Sequence, residues 1–298
     1  MVSVQDHLVL KTKTGMHSFI RTGLQKGLQQ WRIAAIVYGI QLLLVMTFGI
    51  QVYDVLKASI GHSLEINKLA AGYDHTVIMD FLSVHGASIT PLLGQLRWLM
   101  LVWLLFSVFT NGGLLYCAVQ PEAVTGRVFW QGGAKSFFTF LKISVFLLLL
   151  VVVWSGIVWI PTIALLEPML AFFSSEKYII WVVFLMLMVW FIGLGLLFVW
   201  SVCSRLYYFQ GQVSTKACLM GGWRFFGRQR GRLLGLFAAF AGFKALLMVG
   251  YLFLDAFVEI QTSGLVVLFF LLQQAVVFGK IQIRQMVYAG IGRVVGVW

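Results

Sequence analysis

Residues able to do chemistry are sparse in this chain: ten Asp and Glu and five His among 298 residues. One polar group stands outside the apolar runs: His62, Glu65, Asp74, His75, Asp80 and His85. Imidazoles and carboxylates suit metal binding or acid–base work. The spacing does not favour either. His75 and His85 are ten residues apart, about 1000° of helical rotation, which leaves them some 80° out of line. A solvated helical cap accounts for the group better than a metal or catalytic site. No H-E-x-x-H, P-loop, G-x-S-x-G or dinucleotide motif occurs. The expectation is therefore a non-enzymatic protein with no catalytic residues, no metal and no cofactor.

A second polar group falls inside apolar sequence. Lys244 lies eleven residues after Leu233, about 17 Å into a helix at 1.5 Å per residue. That is near the middle of a roughly 30 Å hydrocarbon core. Gln273 and Gln274 fall at a similar depth on the following run, and Gln41, Asn111 and Ser155 extend a polar seam. Such residues serve as interhelical glue or snorkel along their helix; the competing reading is a substrate or ion path. A proton relay is disfavoured, because no carboxylate is predicted at that depth.

These residues must be positioned by membrane helices. Sixty per cent of the residues are hydrophobic and 11% charged, with a mean hydropathy of +0.93. So little charge cannot cover a water-soluble domain of this size. The predicted fold is all-α and polytopic, with six spans at about 33–56, 96–119, 143–166, 178–202, 233–257 and 263–287. They pair as three hairpins in a domain covering 33–290. Residues 1–32 read as a tail and an interfacial helix with Phe19, Ile20, Leu24, Leu28 and Trp31 on its apolar face. No cleavable signal peptide is expected there. Residues 57–95 form a cap on the opposite side. Asp74 starts a short helix there that ends near Gly86, and Thr90-Pro91 opens the second span. Pro161 is expected to kink the third span near its end. The helix of the fourth span is expected to continue past Arg205 into water, and that of the sixth to carry Lys280 and Arg284 into the headgroups. Residues 291–298 form a C-terminal tail.

A basic, aromatic segment precedes each odd-numbered span. Gly132-Gly133-Ala134-Lys135-Ser136-Phe137-Phe138 leads to Lys142, and Gly221-Gly222-Trp223-Arg224-Phe225-Phe226 leads to Arg232. Gly27-Leu28-Gln29-Gln30-Trp31-Arg32 is a worn version. Tyr116, Tyr207 and Tyr288 stand near the ends of the even-numbered spans. The pattern suggests an internal repeat whose basic segments lie in the membrane plane. This layout resembles bacterial six-helix membrane proteins of unassigned activity, akin to the membrane domain beside some glycerophosphodiester phosphodiesterases. The resemblance implies the six-helix architecture. It does not imply phosphodiesterase activity, since no such catalytic domain is present, and the long 57–95 insertion departs from the compact form.

The formal net charge of +12 is distributed unevenly. Seventeen of the 22 Lys and Arg fall in the tail, in 120–142, in 203–232 and from Lys280 onward. Positive charge is retained on the cytoplasmic side during insertion. Both termini are therefore expected in the cytoplasm, in a bacterial inner membrane. Lys135, Lys142, Arg224, Arg228, Arg230 and Arg232, interleaved with aromatic residues, suit anionic lipid rather than nucleic acid. Cys117, Cys203 and Cys218 form no C-x-x-C pair and read as reduced packing residues. The leading reading is a structural or accessory component that binds lipid or a membrane protein partner; the alternative is a transporter or permease using the seam.

Overall fold

The computed structural model describes residues 16–60, 75–120, 124–172, 176–211, 214–258 and 263–295. Within them lie eight helices: α1 Met16–Gln29, α2 Trp31–Ile60, α3 His75–Val119, α4 Gly126–Ala164, α5 Leu166–Phe172, α6 Glu176–Tyr208, α7 Thr215–Phe257 and α8 Ser263–Val295. Six of them, all but α1 and α5, contain stretches long and apolar enough to cross a membrane. The molecule is thus an all-α polytopic membrane protein.

The helices are longer than the apolar runs suggest. α3 carries on without interruption through Gly86, Thr90 and Pro91. The separate cap helix expected before Thr90 is instead the start of the second span's helix. Pro91 brings no N–H to the helical ladder, and beside it the Thr90 hydroxyl donates to Gly86 O at 3.4 Å. α4 likewise passes through Pro161, then stops one turn later, where Leu165 N–H closes onto Pro161 O at 3.0 Å. The link that follows holds the short helix α5. α6 ends in a turn, with Gly211 N–H donating to Tyr208 O at 3.2 Å. Gly211 adopts φ of +95°, a conformation that a Cβ would oppose.

The chain divides into two compact units, 1–34 with 108–298 and 35–107. The second unit holds most of α2 and nearly the first three-quarters of α3. The second hairpin, α4 with α6, and the third, α7 with α8, are packed pairs within the first unit. Midway along the second hairpin, Trp154 Nε1 donates to Trp190 O at 3.2 Å and Trp190 Nε1 donates to Ser155 Oγ at 3.0 Å.

The core of the first unit sits at its basic end. Leu114, Leu115, Phe129, Phe140, Ile143, Leu206, Leu233, Leu236, Tyr288 and Ile291 are almost wholly buried. Farther along the spans most apolar side chains are exposed, as lipid-facing surface should be. Small residues allow the close approaches. Tyr116 covers Gly132, and Tyr207 covers Gly221. Gly222 abuts the backbone of Ser204, and Gly113 meets the ring of Phe129.

The two basic segments differ in how they join their spans. Residues 132–142 lie within α4, which starts at Gly126, and run into the span with no break. Residues 221–228 belong to the first part of α7, from Thr215, which is set off from the span by non-helical Gln229, at φ −124° and ψ 23°. α1 and α2 are divided at Gln30 in the same way. α1 divides its surface between packing and exposure. Phe19, Thr22, Gly23 and Gly27 are buried, whereas Leu24, Leu28 and Trp31 are exposed. Gly23 and Gly27 form a small-x-x-x-small pair that fits against Met286 and Gly290 of α8.

Candidate functional site at the basic end

The residues of the expected polar seam differ in their surroundings. Lys244 follows Phe240 by one turn on the same face of α7. Phe240 is the last buried residue of α7, and Lys244 is exposed. Gln273 is exposed and Gln274 half-buried. Gln41 is half-buried in the other unit. Ser155 is taken up by the Trp190 indole, and Asn111 Oδ1 accepts a 2.7 Å hydrogen bond from the Tyr288 hydroxyl. Asn111 and Tyr288 therefore belong to the packed basic end, not to a group around Lys244.

Of the residues that could form the 62–85 cluster, His62, Glu65 and Asp74 lie outside the described residues. His75 is exposed at the start of α3, and Asp80 and His85 fall on the same helix, their side chains outside the described set. Among the described residues no group of His, Cys, Asp and Glu is arranged to hold a metal ion.

The expected lipid-binding cations divide by position. Lys135, Lys142, Arg224, Arg228 and Arg230 are exposed, and Arg232 is half-buried. They alternate with exposed Trp130, Phe138, Met220 and Trp223. The reason is local: in each segment the glycine pair packs inward, so the basic and aromatic residues on the other faces of the helix are turned out. Cys117, Cys203 and Cys218 are buried free thiols.

A second cationic group was not visible in the pattern of the sequence. Arg205, expected to mark the exit of α6 into water, is only 7% exposed. Its Nη2 donates to Ser144 Oγ at 2.9 Å, and its guanidinium lies 5.7 Å from the Phe140 ring centre. Tyr288 and Arg284 of α8 stand within its electrostatic range. The end of α8, expected in the headgroups, is the most continuously buried stretch among the described residues, from Ile281 onward. Gln282 and Gln285 are buried there, and Arg284 is half-buried. The one signal that could have exposed this group is the run Ile281–Val295, where apolar residues continue on all sides of the polar ones.

A third contact ties α1 to this end. Lys26 Nζ donates to Gln120 O at 2.9 Å, and Gln30 Nε2 donates to Cys117 O at 3.1 Å. Arg293 donates to the Thr22 hydroxyl. Burial, and after it the charge of Arg293, lower Lys26 to a pKa of about 8.

Comparison of the chain with protein-family models, with curated proteins and with solved structures finds no match. The class rests on the helices themselves: a polytopic membrane protein with six candidate spans.

Proposed function

We propose that the protein is a non-enzymatic integral membrane component whose basic end holds anionic lipid headgroups, in a structural or accessory role. The same face offers a docking surface to a membrane protein partner. On this reading the basic end faces the cytoplasm of a bacterial inner membrane, with both termini on that side. It would share the six-helix layout that its glycine-pair segments resemble. One observation carries the proposal. Five cations, Lys135, Lys142, Arg224, Arg228 and Arg230, are exposed beside exposed Trp130, Phe138 and Trp223, all at the start of long apolar helices. Aromatic rings of this kind settle at the headgroup level, and each cation beside an anionic leaflet contributes about 1 kcal/mol.

The test is the lipid complement of the purified chain. The variant carrying Lys135→Gln, Lys142→Gln, Arg224→Gln, Arg228→Gln and Arg230→Gln is compared with the wild type in mixed phosphatidylglycerol and phosphatidylcholine. Enrichment of phosphatidylglycerol around the wild type, lost in the variant at unchanged helicity, supports the reading. Equal enrichment around both would remove its basis.

A further inference from the structure

Burying a guanidinium without an opposing charge is costly, and the cost is relieved by an anion with enough acceptor atoms to meet the buried N–H groups. Arg205 uses Nη2 on Ser144, but its buried Nε has no partner. On the facing helix, Arg284 has Nε and Nη2 buried without partners. The next residue, Gln285, is 2% exposed, and its amide nitrogen and oxygen are both unpartnered. Gln285 lies one helical turn before Tyr288, so it shares the face that α8 turns toward Arg205. Two like charges thus stand within electrostatic range of each other. Among the described side chains of this unit the acid is Asp255, near the far end of α7.

We infer that Arg205, Arg284 and Gln285 form an internal binding site for a phosphate-class oxyanion between α6 and α8. Four unpartnered nitrogen donors are present: Arg205 Nε, Arg284 Nε and Nη2, and Gln285 Nε2. A carboxylate brings two oxygens; a phosphate group brings three or four, and the planar guanidinium fork matches its edges. The amide oxygen of Gln285 suits the P–OH of a monoester. Arg284 is half-buried, so the site reaches the surface on its side of α8. The phosphate group can come from a lipid headgroup or from free phosphate. This site is distinct from the five exposed cations and does not depend on their role.

The experiment uses the full chain, delipidated in detergent, with thermal unfolding and native mass spectrometry as readouts. Phosphatidic acid, inorganic phosphate and diacylglycerol are added separately. The expected result is one retained adduct and a higher melting temperature with phosphatidic acid, and no effect with diacylglycerol, which lacks the phosphate. Equal stabilisation by inorganic phosphate identifies free phosphate as the ligand; stabilisation by phosphatidic acid alone identifies the lipid headgroup. Arg284→Gln, at a half-buried position, and Gln285→Leu should each weaken binding at least tenfold. The variant lacking the five exposed cations should keep the tight adduct. The proposal is overturned if neither phosphate source binds the wild type, or if Arg284→Gln binds as well as wild type. Loss of the adduct in the surface variant but not in Arg284→Gln also overturns it, while leaving the surface reading intact. Finally, if Asp6→Asn or Glu122→Gln lowers stability by itself and both phosphate sources restore it only in that variant, the chain supplies its own counter-charge and the site is not a ligand site.

Discussion

The ring of Tyr207 occupies the space that any side chain at Gly221 would need, and a Cβ there would overlap it. Tyr116 stands over Gly132 in the same way. In both cases the last turns of one spanning helix clasp the first turns of the next at a glycine. α1 and α8 make the corresponding contact through Gly23 and Gly27 against Met286 and Gly290. The basic segments are therefore joints between successive hairpins as well as surfaces.

These joints should be intolerant of added volume. At Gly222 a Cβ would meet the backbone of Ser204, with Cα at 2.6 Å and N at 2.7 Å, which cannot swing aside. Gly222→Ala is expected to cost about 1–3 kcal/mol, as for other overpacked interiors. Gly221→Ala meets only a ring and should cost less. Gly242→Ala, with nothing within 4 Å, should be harmless. Thermal unfolding in one detergent ranks the three, and equal melting temperatures would contradict the joint.

The Tyr288–Asn111 hydrogen bond joins α8 to the end of α3. Tyr288→Phe leaves Asn111 with an unmet acceptor and should destabilise by about 1 kcal/mol. A double-mutant cycle with Asn111→Ala should show a coupling of roughly 0.5–1.5 kcal/mol, within the range for interhelical hydrogen bonds in membrane proteins. Strict additivity would show that the pair contributes nothing.

Docking of α1 should depend on pH through Lys26. Its pKa is lowered to about 8 in the folded chain, from an ordinary 10.5. Between these values the unfolded chain keeps a proton that the folded chain has released, so stability rises with pH across that window. Below about pH 8 the charged form is present in both states and this contribution is absent. The wild type should therefore gain stability relative to Lys26→Met between pH 8 and 10.5. Arg293→Gln removes the second cause of the shift and should narrow the window. Parallel pH profiles for wild type and Lys26→Met would refute the linkage.

Orientation can be read by thiol labelling. Cys117, Cys203 and Cys218 are buried, so the native background with an impermeant maleimide should be low. Ser83 and Ser214 are exposed at opposite ends of the sequence's charge pattern. Ser83→Cys is expected to label from outside intact cells and Ser214→Cys only after the membrane is opened. Labelling of both from one side would refute the six-span topology.

The sequence by itself determined the class, the number of candidate spans and the uneven distribution of charge. These follow from composition and from runs of apolar residues, which act locally and need no partner. It also marked the glycine pairs and the tyrosines, because both recur at similar places before and after the spans. Tertiary structure decided what those residues touch. Local pattern gave Leu24, Leu28 and Trp31 as the apolar face of α1, and they are exposed; it gave no sign of the packed face, Gly23 and Gly27, whose partner on α8 lies at the other end of the chain. Pro91 and Gly86 signal a boundary in sequence, yet α3 runs through both, since apolar continuity on either side outweighs the lost helical bond. Arg205 reads as the residue that leaves the membrane. Its burial depends on Phe140, Ser144 and Tyr288, which come from two other helices. A charge near a helix end has the same local signature whether it meets water or a packed interior, and only the arrival of neighbouring helices separates the two.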